Sequence, residues 1–317
     1  MQPETESPQP NRGTPQPFVP VLSPFALLLL AVSMMSLLTG MGVELARLFI
    51  NAFYGLNVAS GELPGTATPV AVEATKVLNA ITQVVGFGVP ALLFAFLVGS
   101  VPGRFSLPLG YPGWRGLALT VVLAVLAIAP VEALVLTPET FELPAPFQEF
   151  ERWAETQETR SERDLIRLLA VNLPLNLFVL ALIPAAMEEL FFRGVVLRLL
   201  LKITPVHVAV WVGAALFSLL HFQFLGFVPR MLLGGFFGYL VVYSGSLWPA
   251  ILAHFTHNGI NVLMAYAALN GVPGFEGFLT KHAFPFWVAP LCAVLFTMLA
   301  VWASRRTSLW TQPELRA

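Results

Sequence analysis

Two adjacent carboxylates, Glu188 and Glu189, interrupt the apolar run Ile183-Pro184-Ala185-Ala186-Met187-Glu188-Glu189-Leu190-Phe191-Phe192-Arg193. Further on, Phe217 precedes His221 by four residues at the end of a second run, and His254, His257 and Asn258 interrupt a third. Residues four apart on a helix share a face, so Glu189 can pair with Arg193 while Glu188 points about 100° away. His254 and Asn258 share a face in the same way, with His257 adjacent but offset. A carboxylate, two imidazoles and an amide shielded from bulk water suit hydrolysis of a peptide bond. Glu188 could take a proton from water, a histidine could orient that water, and Asn258 could donate to the developing oxyanion. The same Glu and His groups could instead bind zinc, which makes a bound water nucleophilic. Other intramembrane protease chemistries lack their residues: there is no His-Glu-x-x-His, no Gly-x-Ser-Gly, and Asp164 is the only aspartate.

Such a site needs a lipid-shielded scaffold, and the composition supplies one. Of 317 residues, 56% are hydrophobic and 11% are charged, against about 25% charged in a soluble domain. So few polar side chains cannot cover a water-soluble globule of this size, which excludes a soluble enzyme, a disordered scaffold and a secreted disulfide framework. The predicted fold class is all-α, a polytopic transmembrane helical bundle of about eight spans. At about 20 apolar residues per crossing, the candidates are 21–39, 78–99, 115–136, 165–202, 207–223, 228–243, 247–268 and 286–304. The fourth is too long for one straight span, at about 57 Å against a core of about 30 Å, and breaks are expected at Pro174 and Pro184. The net charge of −1 gives no case for nucleic-acid binding. Cys292, the one cysteine, lies in an apolar run and reads as a small buried hydrophobe, with no disulfide and no thiolate zinc site.

Depth brings the motifs together. Glu188 lies 14 residues before Lys202 and His221 lies 14 after His207, so each stands about 21 Å from the turn near Ile203–Val206. His254 follows Leu247 by only seven residues, about 10 Å. The mismatch of about 11 Å demands a tilted, broken or shortened last pair of helices.

Along the chain, the organisation reads as a Pro-rich disordered tail (1–20), N-terminal transmembrane helices (21–136), an acidic interfacial loop (137–164), a helical core carrying the chemistry (165–268), and a final transmembrane helix and tail (269–317). No basic n-region precedes the first apolar run, against a cleaved signal peptide. With eight spans, Arg104 and Arg115, Arg198 and Lys202, and Arg305–Arg306 fall on one side together with both termini, and that side is expected to be cytoplasmic. The stretch 138–164 holds eight acidic and three basic residues. With Phe141, Phe147, Phe150 and Trp153 it reads as an interfacial segment, either resting on headgroups or guiding substrate.

At Glu188-Glu189-x-x-x-Arg193, Phe217-x-x-x-His221 and His254-x-x-x-Asn258 the sequence resembles the CPBP family. These are the CAAX-processing and bacteriocin-processing intramembrane proteases, a group that includes the Ras-converting endopeptidase. The three motifs occur in the family's order, each in an apolar helix, and span roughly residues 165–268. The resemblance implies an intramembrane endopeptidase in which Glu188 activates water, His221, His254 and Asn258 complete the site, and Glu189, Arg193 and Phe217 support it. The implied substrate is a membrane-embedded or membrane-bound peptide or protein. Both metal-dependent and metal-independent mechanisms are described for the family, so Zn²⁺ stays open as a cofactor, with Glu188, His221 and His254 as its candidate ligands.

The remaining polar residues each have a functional and a structural reading. His257 is a spare ligand or a partner for a neighbouring helix. Arg230 holds a substrate's C-terminal carboxylate or snorkels to headgroups. Gly234-x-x-x-Gly238 offers a smooth face for helix packing. Trp211, Trp248, Trp287 and Trp302 suit interfacial belts, and His207 and His282 sit solvated at span edges. Two other functions compete: a transporter whose intramembrane charges form an ion or proton path, and a non-proteolytic scaffold or immunity protein of the same family. No repeat of the Glu-Glu pattern in the other half supports the transporter.

Overall fold

A computed structural model describes residues 22–60, 64, 68–99, 105–134, 144–276 and 284–306. The tail 1–20, residues 137–143, Arg104, Phe141 and His282 lie outside the described residues. Within them every regular element is helical. The first helix, α1 (Pro24–Tyr54), starts where Ser23 Oγ accepts the Ala26 amide and stops at Gly55, whose φ of 64° ends the helix without a Cβ clash. Thr68 caps α2 (Pro69–Gly99) in the same manner, and a π turn at Val84–Gly88 lies within it. After these come α3 (Trp114–Glu132), α4 (Gln148–Leu169), α5 (Leu173–Leu200), α6 (Val206–Leu219), α7 (Phe227–Ser244), α8 (Trp248–Leu269) and α9 (Val288–Ser304).

The chain is an integral multi-pass membrane protein. Large apolar side chains point outward, with Phe53 and Phe96 about three-quarters exposed, which is tolerable against hydrocarbon and not against water. Of the eight expected crossings, α1, α2, α3, α5 and α7 are long and apolar enough by length and composition. The helices α6 and α9 are apolar but shorter. The polar residues of α8, His254, His257, Asn258 and Asn261, lower its hydropathy.

The long fourth run divides, one of the outcomes its length allows, but both expected break points are corrected. It is two helices, α4 and α5, and the break falls at 170–172, just ahead of Pro174 rather than at it. Asn172, at φ 58°, caps α5, and Pro174 takes an early position where no backbone N–H is needed. The freed carbonyl of Val171 accepts from the buried Lys76 Nζ at 3.0 Å and from Asn176 Nδ2 at 2.9 Å. Pro184 does not interrupt α5 at all. A π turn at Leu177–Leu182 immediately precedes it and shifts the hydrogen-bond register where the proline withholds a donor. The acidic stretch, expected as a loop, is helical from Gln148, with Glu149 and Glu151 in the first turn and Arg167 in the last, the polarity that the helix dipole favours.

The depth mismatch is resolved by where α8 begins. A Cβ on Gly194 would sit 2.8 Å from Leu107 and 3.4 Å from Leu247, so Leu247 stands level with Gly194 rather than with Lys202. The Leu247 amide bonds the Pro108 carbonyl at 2.7 Å, which holds α8 at that depth. From Gly194 back to Glu188 is about 9 Å, and from Leu247 forward to His254 about 10 Å. The shortened last pair is the alternative the fold adopts.

The α6–α7 contact depends on missing side chains at Gly234, Gly235 and Gly238, which meet Ala214, Trp211 and Val210. A Cβ on Gly234 would lie 3.1 Å from the Ala214 Cα and 3.2 Å from the Phe217 ring. Gly234→Ala is expected to cost about 1–3 kcal/mol by overpacking, seen as a lower melting temperature in detergent. An unchanged transition would mean that the two helices can separate freely.

Candidate active site

Glu188 and Glu189 occupy α5 just before its second π turn, Phe192–Val196, so the two carboxylates leave the helix where its pitch changes. Both are buried, as are Arg193 and His254. Glu189 Oε1 accepts from Arg193 Nη1 at 2.8 Å and lies 2.9 Å from His254 Nδ1. The second guanidinium nitrogen of Arg193 donates to the Gly234 carbonyl at 2.8 Å. Its Cζ stands 4.6 Å from the centroid of the Phe217 ring and 5.4 Å from that of Phe237, so two aromatic faces shelter a charge that has left water. Phe237 also stacks on the His254 imidazole at 5.0 Å.

Glu188 has a different environment. Its Oε1 accepts from Gln83 Nε2 at 2.9 Å, while its buried Oε2 has no hydrogen-bond partner. That oxygen faces His221 Nε2 and His254 Nε2, each at 4.0 Å. Helix α6 ends at Leu219, and Phe222, in the left-handed region at φ 52°, turns the chain so that His221 stands beyond the last helical turn. There its Nδ1 lies 2.8 Å from the Phe217 carbonyl, and the Phe217 ring packs edge-on against it. The His221 side chain is 31% exposed and that of Glu188 only 6%, so the pocket opens past His221.

The hydrogen bonds fix which ring nitrogens face the gap. His254 Nδ1 meets a carboxylate and His221 Nδ1 a carbonyl, both acceptors, so in the neutral rings each Nδ1 carries the proton. Each Nε2 then directs a lone pair at Glu188 Oε2. Separations of 4.0 Å exceed direct hydrogen-bond reach and suit a bridging water. Tetrahedral zinc, with ligand bonds of about 2.0–2.1 Å, would draw such atoms to about 3.3 Å. Among the described residues no three His, Cys, Asp or Glu side chains are already grouped to hold a metal ion, and Glu188, His221 and His254 would have to close by about 0.7 Å to take zinc.

Six of the residues singled out from sequence therefore meet: Glu188, Glu189, Arg193, Phe217, His221 and His254. Asn258 lies one turn farther along α8, half-buried, with no hydrogen bond to the others. Arg230 does not simply reach for headgroups. Its guanidinium donates to Gln223 and lies close enough to act electrostatically on His221. His257 accepts from Asn261 of its own helix at 3.1 Å, and the exposed His207 bonds the Tyr239 hydroxyl at 2.8 Å. Two contributors were missed. Gln83 had a legible signal, an amide in the apolar run 78–99, seven residues and two turns beyond Lys76. Phe237 had none, being one of 26 phenylalanines.

Comparison with known proteins supports the same segment. Residues 170–260 match the family model described as type II CAAX prenyl endopeptidase Rce1-like. No curated protein and no solved structure matches the chain. The matched region runs from the α4–α5 break to the middle of α8 and so contains all three motifs. Over residues 170–260 the chain is therefore similar to the type II CAAX prenyl endopeptidases, the group that its three motifs resemble.

Proposed function

We propose that the protein is an intramembrane endopeptidase that hydrolyses a membrane-embedded or membrane-bound peptide with a water activated by Glu188. The observation that carries this reading is the unpartnered Glu188 Oε2 opposite two imidazole lone pairs at 4.0 Å. A water between them gives one O–H to Glu188 and the other to His221 or His254. As its oxygen bonds to the scissile carbonyl carbon, Glu188 takes the first proton. The negative charge moves to the carbonyl oxygen, where the Asn258 amide can donate. When the oxyanion collapses and the C–N bond breaks, the proton on Glu188 passes to the leaving amine, the second water proton stays on the attacking oxygen, and the products are a carboxylic acid and an amine. Arg230, beside His221 at the open side, would receive a substrate carboxylate. The basic residues Arg115, Arg198, Lys202, Arg305 and Arg306 assign their side, and both termini, to the cytoplasm.

Reconstitution in nanodiscs with an internally quenched, prenylated CAAX-type peptide tests the reading, together with a comparison of membrane proteomes from cells carrying wild type and Glu188→Gln. New peptide ends that depend on Glu188 are expected. Their absence from both experiments would overturn it. Since the spacing suits water rather than zinc, cleavage is expected to survive EDTA and 1,10-phenanthroline, with substoichiometric zinc in the purified protein. Full inhibition reversed by added Zn²⁺ would mean that the three groups close on a metal.

A further inference from the structure

Among the described residues, the buried polar atoms without a hydrogen bond include Gln83 Oε1, Glu188 Oε2 and Glu189 Oε2 in the site and, along α8, His257 Nδ1 and Asn261 Oδ1. The last two are not used by the hydrolytic chemistry. His257 is 8% exposed, and its Nε2 accepts from the Asn261 amide at 3.1 Å. The neutral ring must then carry its proton on Nδ1, which leaves a buried N–H donor with no acceptor. Whichever amide atom Asn261 turns toward the imidazole, its other one stays unsatisfied. Each such group costs roughly 1–3 kcal/mol if it is dry, and buried waters occupy places where two to four polar atoms converge.

His254, His257 and Asn261 rise along α8 at spacings of three and four, a polar stripe about 10 Å long that starts at the Glu188 pocket. Its far end has a marked position. Val262, the next residue, packs with Leu169 and Leu173 on either side of the α4–α5 break, where Val171 and Asn172 are exposed. The far end of the stripe therefore stands at the level of the α4–α5 break, whose residues Val171 and Asn172 reach the surface.

We propose that His257 and Asn261 hold a file of water along α8 that supplies the Glu188 pocket from the α4–α5 break. The proposal rests on the hydrolytic reading above, because one water is consumed per bond cut and a substrate entering past His221 would occupy the other opening. His257 and Asn261 are positioning residues in this scheme, since they touch the water route rather than the scissile bond.

Radiolytic hydroxyl-radical footprinting of the full chain in lipid nanodiscs, read by mass spectrometry, tests it without any turnover. Oxidation at His257 is expected despite its burial, and Asn261→Leu should lower labelling at His254 and His257 several-fold. Asn261→Ser should retain it. Melting gives a second sign. In a wet stripe Asn261→Leu lowers the melting temperature, whereas in a dry one it removes an unsatisfied group and raises it. Absence of label at His257 in the folded wild type, or unchanged labelling together with a raised melting temperature in Asn261→Leu, overturns the water file. If Asn261→Leu does not fold, wild-type labelling at His257 decides alone. Failure of the hydrolytic reading looks different: the footprint persists and Glu188→Gln cleaves as well as wild type.

Discussion

Glu188→Gln is expected to lower peptide hydrolysis by roughly 10²–10⁴-fold, the loss that accompanies removal of a general base, and to leave the melting transition in place. The substitution keeps the volume of the side chain. Its carbonyl oxygen can still accept from Gln83, as Glu188 Oε1 does at 2.9 Å. Its new NH₂ replaces the unpartnered Oε2, 4.0 Å from His221 Nε2 and His254 Nε2, where a bridging water can accept from it and donate to an imidazole. The amide is thus at least as well satisfied as the carboxylate, but it cannot accept a proton from water. Measured on the same nanodisc preparation, a collapse of kcat with an unshifted transition separates chemistry from folding. Retained turnover would move the base to His254, whose Nδ1 already lies against Glu189.

The chemistry was more legible than the architecture, for a physical reason. A charged group at bilayer depth costs roughly 2.5–3.5 kcal/mol even on the lenient insertion scale, so Glu188, Glu189 and Arg193 stand out in an apolar run, and helical periodicity alone pairs Glu189 with Arg193. Helix breaks leave a weaker trace. Pro184 looks like a stop, yet the neighbouring π turn lets α5 pass through it, while the true break at 170–172 is carried by Asn172 and by Lys76 from a distant helix. Depth was the least legible quantity. Counting from Lys202 put His254 about 11 Å from the level of Glu188, because nothing in the local sequence says that Leu247 docks beside Gly194. Gln83 illustrates the same limit: its polarity was visible, but its partner, 105 residues away, was not.

Glu189→Ala is expected to destabilise the protein by about 3–5 kcal/mol, the penalty for leaving a buried charge without its partner, and to abolish hydrolysis in whatever fraction remains folded. Glu189 has two jobs that a single carboxylate oxygen performs together. It neutralises Arg193, which keeps the Gly234 carbonyl, two aromatic faces and the field of Glu188 but no bonded carboxylate when the acid is gone. It also holds the proton of His254 on Nδ1, so that Nε2 faces Glu188 with a lone pair. A double substitution separates these jobs. In Glu189→Leu/Arg193→Met both charges are replaced by apolar groups of similar volume, an exchange that is often neutral or stabilising for buried pairs. The melting temperature should therefore return toward wild type, while activity stays lost because His254 no longer has an acceptor at Nδ1. Recovery of both would reduce Glu189 to a counter-ion for Arg193. An unchanged melting profile in Glu189→Ala would mean that the Arg193 charge is solvated and that the pairing at 2.8 Å contributes little. The split between restored stability and absent turnover is the result that ties the Glu189–His254 contact to the reaction rather than to the fold.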